Sequence, residues 1–437
     1  MKPSSVTLAQ MLDARERRAF AQTALLRQAD ANDCLVSFSL NIAGDVKRTP
    51  KTRLLFDQGL RTFDALGFAQ RARTVTDAVT GTEALILVRA NAKTVKTVLE
   101  RLEEAAPWAR LFDFDVLNAA GEKLSRTEPR RCLVCGGPAA DCARSRAHGL
   151  DAVRAATDAL LDECCADTLA LTAHAALERE LRTTPKPGLV DENNNGAHAD
   201  MDVPLFLKSA ASLVPYFRTA VRLGMHSAGM DALKEAGLDA ERAMFEATDG
   251  VNTHKGMVYS MGLLLYGMGE SLCSGADAID CAAHLAAVDA NDRLSRAKRC
   301  RDTNGGRVYA DTGATGAVGE AAGGFTHARF CADRLAFYRD AGAVNPGVLA
   351  LCDTMAILED TNVLHRGGRE GLVFLQGEAR RIGALDPEER EAALGALDAA
   401  CIRRNLSPGG SADMLALAYL LDAWRALKKD LFWEVYA

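Results

Sequence analysis

The sequence predicts two domains of different class, an α+β domain over residues 1–150 followed by an all-α domain over 151–437. Three observations support this. Short strand-like segments, one of which alternates apolar and acidic residues with period two as a half-buried strand does, occur only before residue 150. After it, Ala- and Leu-rich runs with helical spacing follow one another, separated by Gly-rich polar loops. The length of 437 residues also exceeds the roughly 150 of one ordinary domain.

In chain order, LAQMLDARERRAFAQTALLRQA reads as an amphipathic helix and LVSFSL (Leu35 to Leu40) as a strand. TRLLFDQGLRTFDALG is helical, ALILV (Ala84 to Val88) is a second strand, and AKTVKTVLERLEEA a further helix. LFDFDVL (Leu111 to Leu117) alternates strictly and is the third strand. The segment RTEPRRCLVCGGPAADCARSRAHG, 126–149, lies between the two patterns, so the boundary is placed near residue 150. DAVRAATDALLDECCADTLALTAHAALEREL then opens the helical half. VPLFLKSAASLVPYF reads as one helix, and MVYSMGLLLYGMG, from Met257, as a buried one too short to span a bilayer.

Bulk properties exclude several classes. A chain that is 48% apolar and 25% charged is of the soluble folded type, and a net charge of −6 argues against a broad nucleic-acid surface. MKPSSVTLAQMLDARERR lacks the apolar stretch of a signal peptide. Twelve cysteines in such a chain point to reduced thiols. The expectation is a cytoplasmic protein with neither membrane nor nucleic-acid partners.

Several constellations bear chemistry. Asp113 and Asp115, two apart on a strand, share one face about 6–7 Å apart, while Phe112, Phe114 and Val116 face the core. Paired oxygen donors on a rigid strand suit Mg²⁺ with phosphate oxygens; the plain alternative is the solvated face of an edge strand. LNIAGDVKRTP offers Asn41, Gly44, Lys47 and Arg48 in a turn that could hold a pyrophosphate or be a simple surface turn. Cys132, Cys135 and Cys142 with His148 could form a Cys₃His structural Zn²⁺ site, although the spacing matches no standard knuckle, and free thiols are the alternative. Arg144 and Arg146 could bind phosphate.

In the second half, TTPKPGLVDENNNGAHADMD gathers Lys186, Asp191, Glu192, His198, Asp200 and Asp202. Asp202, just before Val203-Pro204, has the position of a helix N-cap. DGVNTHKG brings Asn252, His254 and Lys255 to the start of a helix, where free N–H groups favour anions, with Asn252 or Thr253 as its cap. His254 is either a proton carrier or a loop histidine bonded to backbone. Further loops carry Glu320, then Asp360, Asn362, His365 and Arg366, then Ser407, Ser411 and Asp413, with Ser411 read as the cap of the last long helix. Neither a dinucleotide-binding G-x-G-x-x-G nor a P-loop is present.

NIAGDVKRTP, LFDFDV and CLVC…CARSRAH resemble the apo-citrate lyase phosphoribosyl-dephospho-CoA transferase (holo-citrate lyase synthase) family over most of 1–150. That resemblance implies a nucleotidyltransferase-like domain that moves a phosphoribosyl-dephospho-CoA group onto a serine of the citrate lyase acyl carrier subunit and releases pyrophosphate. Asp113 and Asp115 would be its metal pair. The G-S motif usual in D-x-D enzymes is replaced by TGTE, Thr80 to Glu83.

TTPKPGLVDENNNGAHADMD, GVNTHKG, GEAAGGF, DTNVLHRGG and SPGGSADMLAL resemble the triphosphoribosyl-dephospho-CoA synthase family over nearly all of 151–437. The resemblance implies an essentially all-helical enzyme that joins ATP to 3′-dephospho-CoA and expels adenine. The product of the second half would be the donor for the first. Within this resemblance Asp191, Asp200 and Asp202 are expected to hold Mg²⁺ on the triphosphate. Lys186, Lys255 and Arg366 would neutralise phosphates, and His198 or His254 would move protons. Asn252, Glu320, Asp360 and Asn362 complete the expected substrate-binding set. Two alternatives are the same chemistry serving malonate decarboxylase and a zinc-stabilised, non-catalytic interaction scaffold.

Overall fold

A computed structural model describes residues 4–299 and 304–432. The chain divides into two units, Met1–Cys165 with Lys429–Ala437, and Ala166–Lys428.

In the first unit, α1 (Leu8–Leu26) precedes β1 (Cys34–Leu40), α2 (Pro50–Ala65), β2 (Gln70–Ala78), β3 (Gly81–Val88), α3 (Ala92–Leu102) and β4 (Phe112–Asn118). The strands form one antiparallel sheet in the order β2-β3-β1-β4. The three strands expected from the sequence are present, and β2 is an addition. Its residues are mostly solvent-exposed, so QRARTVTDA carries no apolar alternation. TGTE closes the β2–β3 hairpin: Thr82 donates to Asp77 at 2.7 Å and Glu83 pairs with Arg18 at 2.6 Å.

The core of this unit is aromatic. Phe38 of β1 stacks on Phe114 of β4 at 4.1 Å and on Phe56 of α2 at 4.8 Å between ring centroids. Gly59 lets α2 sit directly on this stack, since a Cβ there would lie 2.3 Å from the Phe38 ring. β4 is an edge strand, and its outer side is closed by side chains. Phe114 N–H donates to the buried Glu103 at 2.9 Å, and Lys96 Nζ donates to Phe114 O at 3.1 Å.

After β4 come the short α4 (Ala139–Ser145) and the long α5 (Leu150–Arg182). The boundary read near residue 150 marks the start of α5; the division of contacts falls inside that helix.

The second unit is helical throughout its described residues. α6 (Val203–Ser212) and α7 (Val214–Met225) lead to α8 (Met230–Ala247), α9 (Lys255–Ser274), α10 (Ala278–Arg299), α11 (Asn304–Thr312) and α12 (Gly316–Ala322). Then follow α13 (Thr326–Asp340), α14 (Pro346–Met355), α15 (Thr361–Gly383), α16 (Pro387–Arg403) and α17 (Gly409–Leu431). The single helix expected over VPLFLKSAASLVPYF is two, broken at Leu213. Pro215 has no N–H to donate to the Ala211 carbonyl and its ring crowds that turn, so the ladder is interrupted there and restarts with Pro215 in the first turn of α7. α9 is almost entirely buried, as expected, and packs against α7 at very short range; a Cβ on Gly224 would lie 1.9 Å from Tyr266 O. Among the described residues, no helix is long and apolar enough to cross a membrane.

Candidate active sites

In the first unit, Asp113 and Asp115 lie side by side on the solvent face of β4, with Phe112, Phe114 and Val116 buried behind them. Each carboxylate meets a cation: Arg130 donates to Asp113 at 2.9 Å, and Lys123 to Asp115 at 2.7 Å. Arg130 also bonds Glu103 at 3.1 Å, which ties the aspartate face to the closed edge of the sheet. Burial raises the Glu103 carboxyl, and Arg130 counters that.

Next to this face is a cavity of about 1590 Å³. Asn41, Arg110, Arg126, Arg130, Arg131 and Arg146 line it, and Cys132, Cys142 and His148 form part of its wall. An array of guanidinium forks in one cleft suits phosphate groups. Asn41 and Arg146 were expected there, but Arg110, Arg126, Arg130 and Arg131 were not; the run RTEPRR was the available signal for the last three.

Three expected phosphate ligands are engaged elsewhere. Lys47 Nζ donates to Ile42 O, and burial lowers its basicity. Arg48 forms a two-bond pair with Asp77, at 2.8 and 3.1 Å, and reaches the carbonyls of Asp430 and Leu431. Arg144 is exposed and pairs with Asp141 at 2.5 Å on its own short helix.

The cysteine group is assembled. The ligand atoms of Cys132, Cys135, Cys142 and His148 all lie within 4.8 Å of one another. Backbone N–H groups of Cys135 and Val134 pull the Cys132 thiol down to about 6, and the neighbouring Cys135 and Cys132 sulfurs push Cys142 up to about 12.

In the second unit, the loop 183–202 is organised by its own carboxylates. Asp191 is buried and accepts from the backbone N–H groups of Lys186 (2.8 Å), Asn193 (2.8 Å) and Asn194 (3.1 Å). Asp202 caps α6 through Leu205 N–H at 2.9 Å, as expected. Asp200 has a side chain 64% exposed, 4.0 Å from His198. The three aspartates expected to share Mg²⁺ therefore do separate work. Among the described residues, the cysteine group is the one set of three or more His, Cys, Asp or Glu side chains placed to share an ion.

His198 accepts at Nδ1 from Arg366 (3.2 Å) and so donates from Nε2 to Ser407 (2.8 Å). Burial, then Arg366, lowers its pKa. Arg366 also bonds Ala197 O and Asn405 Oδ1, so this pair latches the loop to the segment before α17 and does not present a free cation or proton carrier. Glu320 caps α13, accepting from His327 N–H at 2.7 Å and Ala328 N–H at 3.0 Å, and bonds the His327 ring. His254 is buried against Ser209 at 2.6 Å, and burial, then Lys186, lowers its pKa to about 4, too weak a base for a hydroxyl near neutral pH. His254 itself occupies the N-cap of α9 and makes no side-chain cap bond; Thr253 bonds Ser209 instead, and Asn252 is exposed.

The remaining polar groups converge where helix ends meet. Lys186 Nζ bonds Glu180 of α5 at 2.5 Å, both buried. Asp360 caps α15 and also accepts from the N–H and hydroxyl of Ser411, at 2.8 and 3.0 Å, joining the N-termini of α15 and α17. Ser411 therefore serves Asp360 and is not the α17 cap. SPGG makes this approach possible: a Cβ on Gly409 would lie 2.6 Å from Asn362 Nδ2, and one on Gly410 3.1 Å from the Asp360 carboxylate.

Beside this junction lies Asp413, which the sequence reading noted without assigning it to the site. One carboxylate oxygen would be 3.1 Å from a Cβ on Gly256, in the first turn of α9. Burial, then the charges of Asp360 and Glu180, raises its pKa well above the ordinary carboxylate value. Lys255 flanks the α9 N-terminus, paired with Glu241 at 3.0 Å and 43% exposed.

Comparison with known proteins places both halves. Residues 6–164 match the family model of CitX, apo-citrate lyase phosphoribosyl-dephospho-CoA transferase, and 166–431 that of CitG, ATP:dephospho-CoA triphosphoribosyl transferase. Protein CitXG of Haemophilus influenzae is 36% identical over 453 residues, covering 97% of each chain. The chain belongs to the CitXG family. Protein CitXG of Leuconostoc mesenteroides subsp. cremoris is 31% identical over 460 residues, 95% of this chain and 97% of its own. The 2-(5''-triphosphoribosyl)-3'-dephosphocoenzyme-A synthase of Pectobacterium atrosepticum is 40% identical over 271 residues, 57% of this chain and 86% of its own. As a CitXG-family chain it is a bifunctional transferase that makes and attaches the citrate lyase prosthetic group. The two matched regions meet inside α5, where the contacts also divide.

Proposed function

We propose that the helical unit joins ATP to 3′-dephospho-CoA with loss of adenine, using the junction around Asp413. The α+β unit then transfers the phosphoribosyl-dephospho-CoA group to a serine of the acyl carrier subunit, using the β4 face and the arginine-lined cavity. The observation that supports the first assignment best is the Asp413 carboxyl, held against the α9 N-terminus in the field of two other carboxylates.

In the synthase step a 2′-hydroxyl of dephospho-CoA bonds to C1 of the ATP ribose as the C1–N bond to adenine breaks. A departing purine needs a proton, and a carboxyl whose burial favours its protonated form is the matching donor. Asp413 takes that role, and Glu180 receives the hydroxyl proton. The N–H groups at the start of α9, with Lys255 beside them, hold phosphate oxygens.

In the transfer step the serine oxygen bonds to phosphorus and the bond to pyrophosphate breaks. Arg131 and Arg146 hold the phosphates in the cavity, Arg110 and Arg126 join them only on leaving the Arg131 and Cys132 carbonyls and the Glu103 carboxylate that they bond here, and Arg130 and Lys123 orient the two aspartates. The donor chemistry of Asp113 and Asp115, two reachable carboxylates on one rigid strand face, fits Mg²⁺. The ion would be held there and would supply positive charge opposite the pyrophosphate. This arrangement supports the nucleotidyltransferase-like reading of the unit.

The synthase assignment is tested by adenine release from ATP and dephospho-CoA. Asp413→Asn, which keeps shape but not the acidic proton, should lower it about 10²–10³-fold. Release within threefold of the unaltered chain would contradict the assignment.

A further inference from the structure

We infer that Cys132, Cys135, Cys142 and His148 bind one Zn²⁺ in a closed, structural site that fixes the arginine-bearing wall of the α+β unit's cavity. Three independent features of the fold converge on this.

The first is the donor set itself. Three thiol sulfurs and one imidazole nitrogen lie within 4.8 Å of one another, and Cys135 and Cys142 Sγ are 3.5 Å apart. A tetrahedron with Zn–S bonds of about 2.3 Å has edges of about 3.8 Å, so an ion requires only small movements.

The second is the orphaned nitrogen. His148 Nε2 is buried and has no hydrogen-bond partner, although a buried ring nitrogen normally has one. It belongs to the same group as the three sulfurs, and a lone pair directed at a cation is what would satisfy it.

The third is the backbone that carries the ligands. Cys132 and Cys135 sit on a tight turn closed by Cys132 N–H to Gly137 O at 2.6 Å and Gly136 N–H to Cys132 O at 3.0 Å, with Gly136 at φ +73°. α4 then presents Cys142, and Arg146, left-handed at φ +50°, ends the helix and turns the chain toward His148. This segment has almost no apolar core of its own; α4 has no buried residue. A segment of this kind holds its shape through a metal or a covalent link more readily than through packing.

The consequence is local. Arg130 and Arg131 immediately precede Cys132, and Arg146 lies between Cys142 and His148, so three of the cavity's arginines stand on the metal-bound loop. With four protein ligands the ion has no open position, and its binding displaces the thiol protons that remain. The inference concerns metal content, so it can fail while the functional reading of the cavity stands.

The test is zinc analysis of the full chain, loaded with Zn²⁺ and dialysed against metal-free buffer. One zinc per chain is expected, with at least a tenfold lower content in Cys142→Ser and in His148→Ala. Less than a tenth of an equivalent in the unaltered chain, or undiminished zinc in Cys142→Ser, would overturn the inference. Replacement by Co²⁺ in the unaltered chain guards against variants that misfold. Thiolate charge-transfer absorption with the strong visible bands of tetrahedral cobalt supports the site, and the weak spectrum of octahedral cobalt contradicts it. A Cys135–Cys142 disulfide in protein isolated under reducing conditions would equally overturn it.

Discussion

The two units place acidic side chains in opposite electrostatic settings. On β4, Asp113 and Asp115 are 40% and 30% exposed, and each faces a cation that a phosphate or a metal ion can displace. At the helical junction, the buried Glu180 pairs with Lys186 through one oxygen and the buried Asp360 bonds Ser411, while Asp413 has its pKa raised by burial and by the charges of Asp360 and Glu180. The first arrangement keeps carboxylates reachable and exchangeable, which suits phosphorus chemistry around pyrophosphate. The second raises a carboxyl's affinity for its proton, which suits protonation of a leaving base. Burial, rather than residue type, separates the two roles.

The largest expected effect comes from removing the strand pair. Asp113→Asn combined with Asp115→Asn should abolish carrier labelling, because neither amide offers an anionic donor, and adenine release should stay within twofold. Intact-mass measurement of the carrier, with adenine quantified in the same reaction, checks both.

A pH profile of adenine release sharpens the account of Asp413. A catalytic acid must be protonated, so the rate should fall as pH rises through its elevated pKa. In Asp413→Asn that descending limb should disappear from the residual activity. An unchanged limb would assign it to another group.

A smaller effect concerns stability. His254 is neutral in the folded unit, with a pKa near 4 against an ordinary 6.5. The unfolded chain binds the proton more readily, so this group's contribution is present above about pH 6.5 and is lost as pH falls toward 4, by about 3 kcal/mol. His254→Asn, which keeps an acceptor or donor near Ser209, should flatten that part of the stability–pH curve in thermal unfolding.

The smallest effect is at Asp200. Its carboxylate is exposed and shares no ligand set, so Asp200→Asn should change adenine release by less than twofold at saturating Mg²⁺. A tenfold loss would restore it to the site.

How much of this was legible in the sequence follows from the same contrast. Strand-like apolar runs exposed β1 and β3, and the period-two alternation of LFDFDVL exposed β4 and put Asp113 and Asp115 on one face, because a strand fixes side-chain direction locally. β2 escaped because an exposed edge strand has no apolar face to alternate. Asp202 was readable as a cap from the Pro204 that follows it. Asp191 was not, since its partners are loop N–H groups whose positions only the fold sets. Glu180 lies within ordinary helical text, EREL, and Asp413 was noted only as one polar residue of SPGGSADM; their roles arise from helix ends meeting far apart in sequence. Arg48 and Arg366 looked like free cations for the same reason: Asp77, and Ala197 with Asn405, are not neighbours in the chain.

The most direct test of the division of labour is mass spectrometry of one reaction in which the Asp113→Asn/Asp115→Asn chain meets ATP, dephospho-CoA and the apo-carrier. The account predicts free adenine, accumulated triphosphoribosyl-dephospho-CoA and an unmodified carrier. Loss of adenine release together with carrier labelling, or a fully labelled carrier, would contradict it.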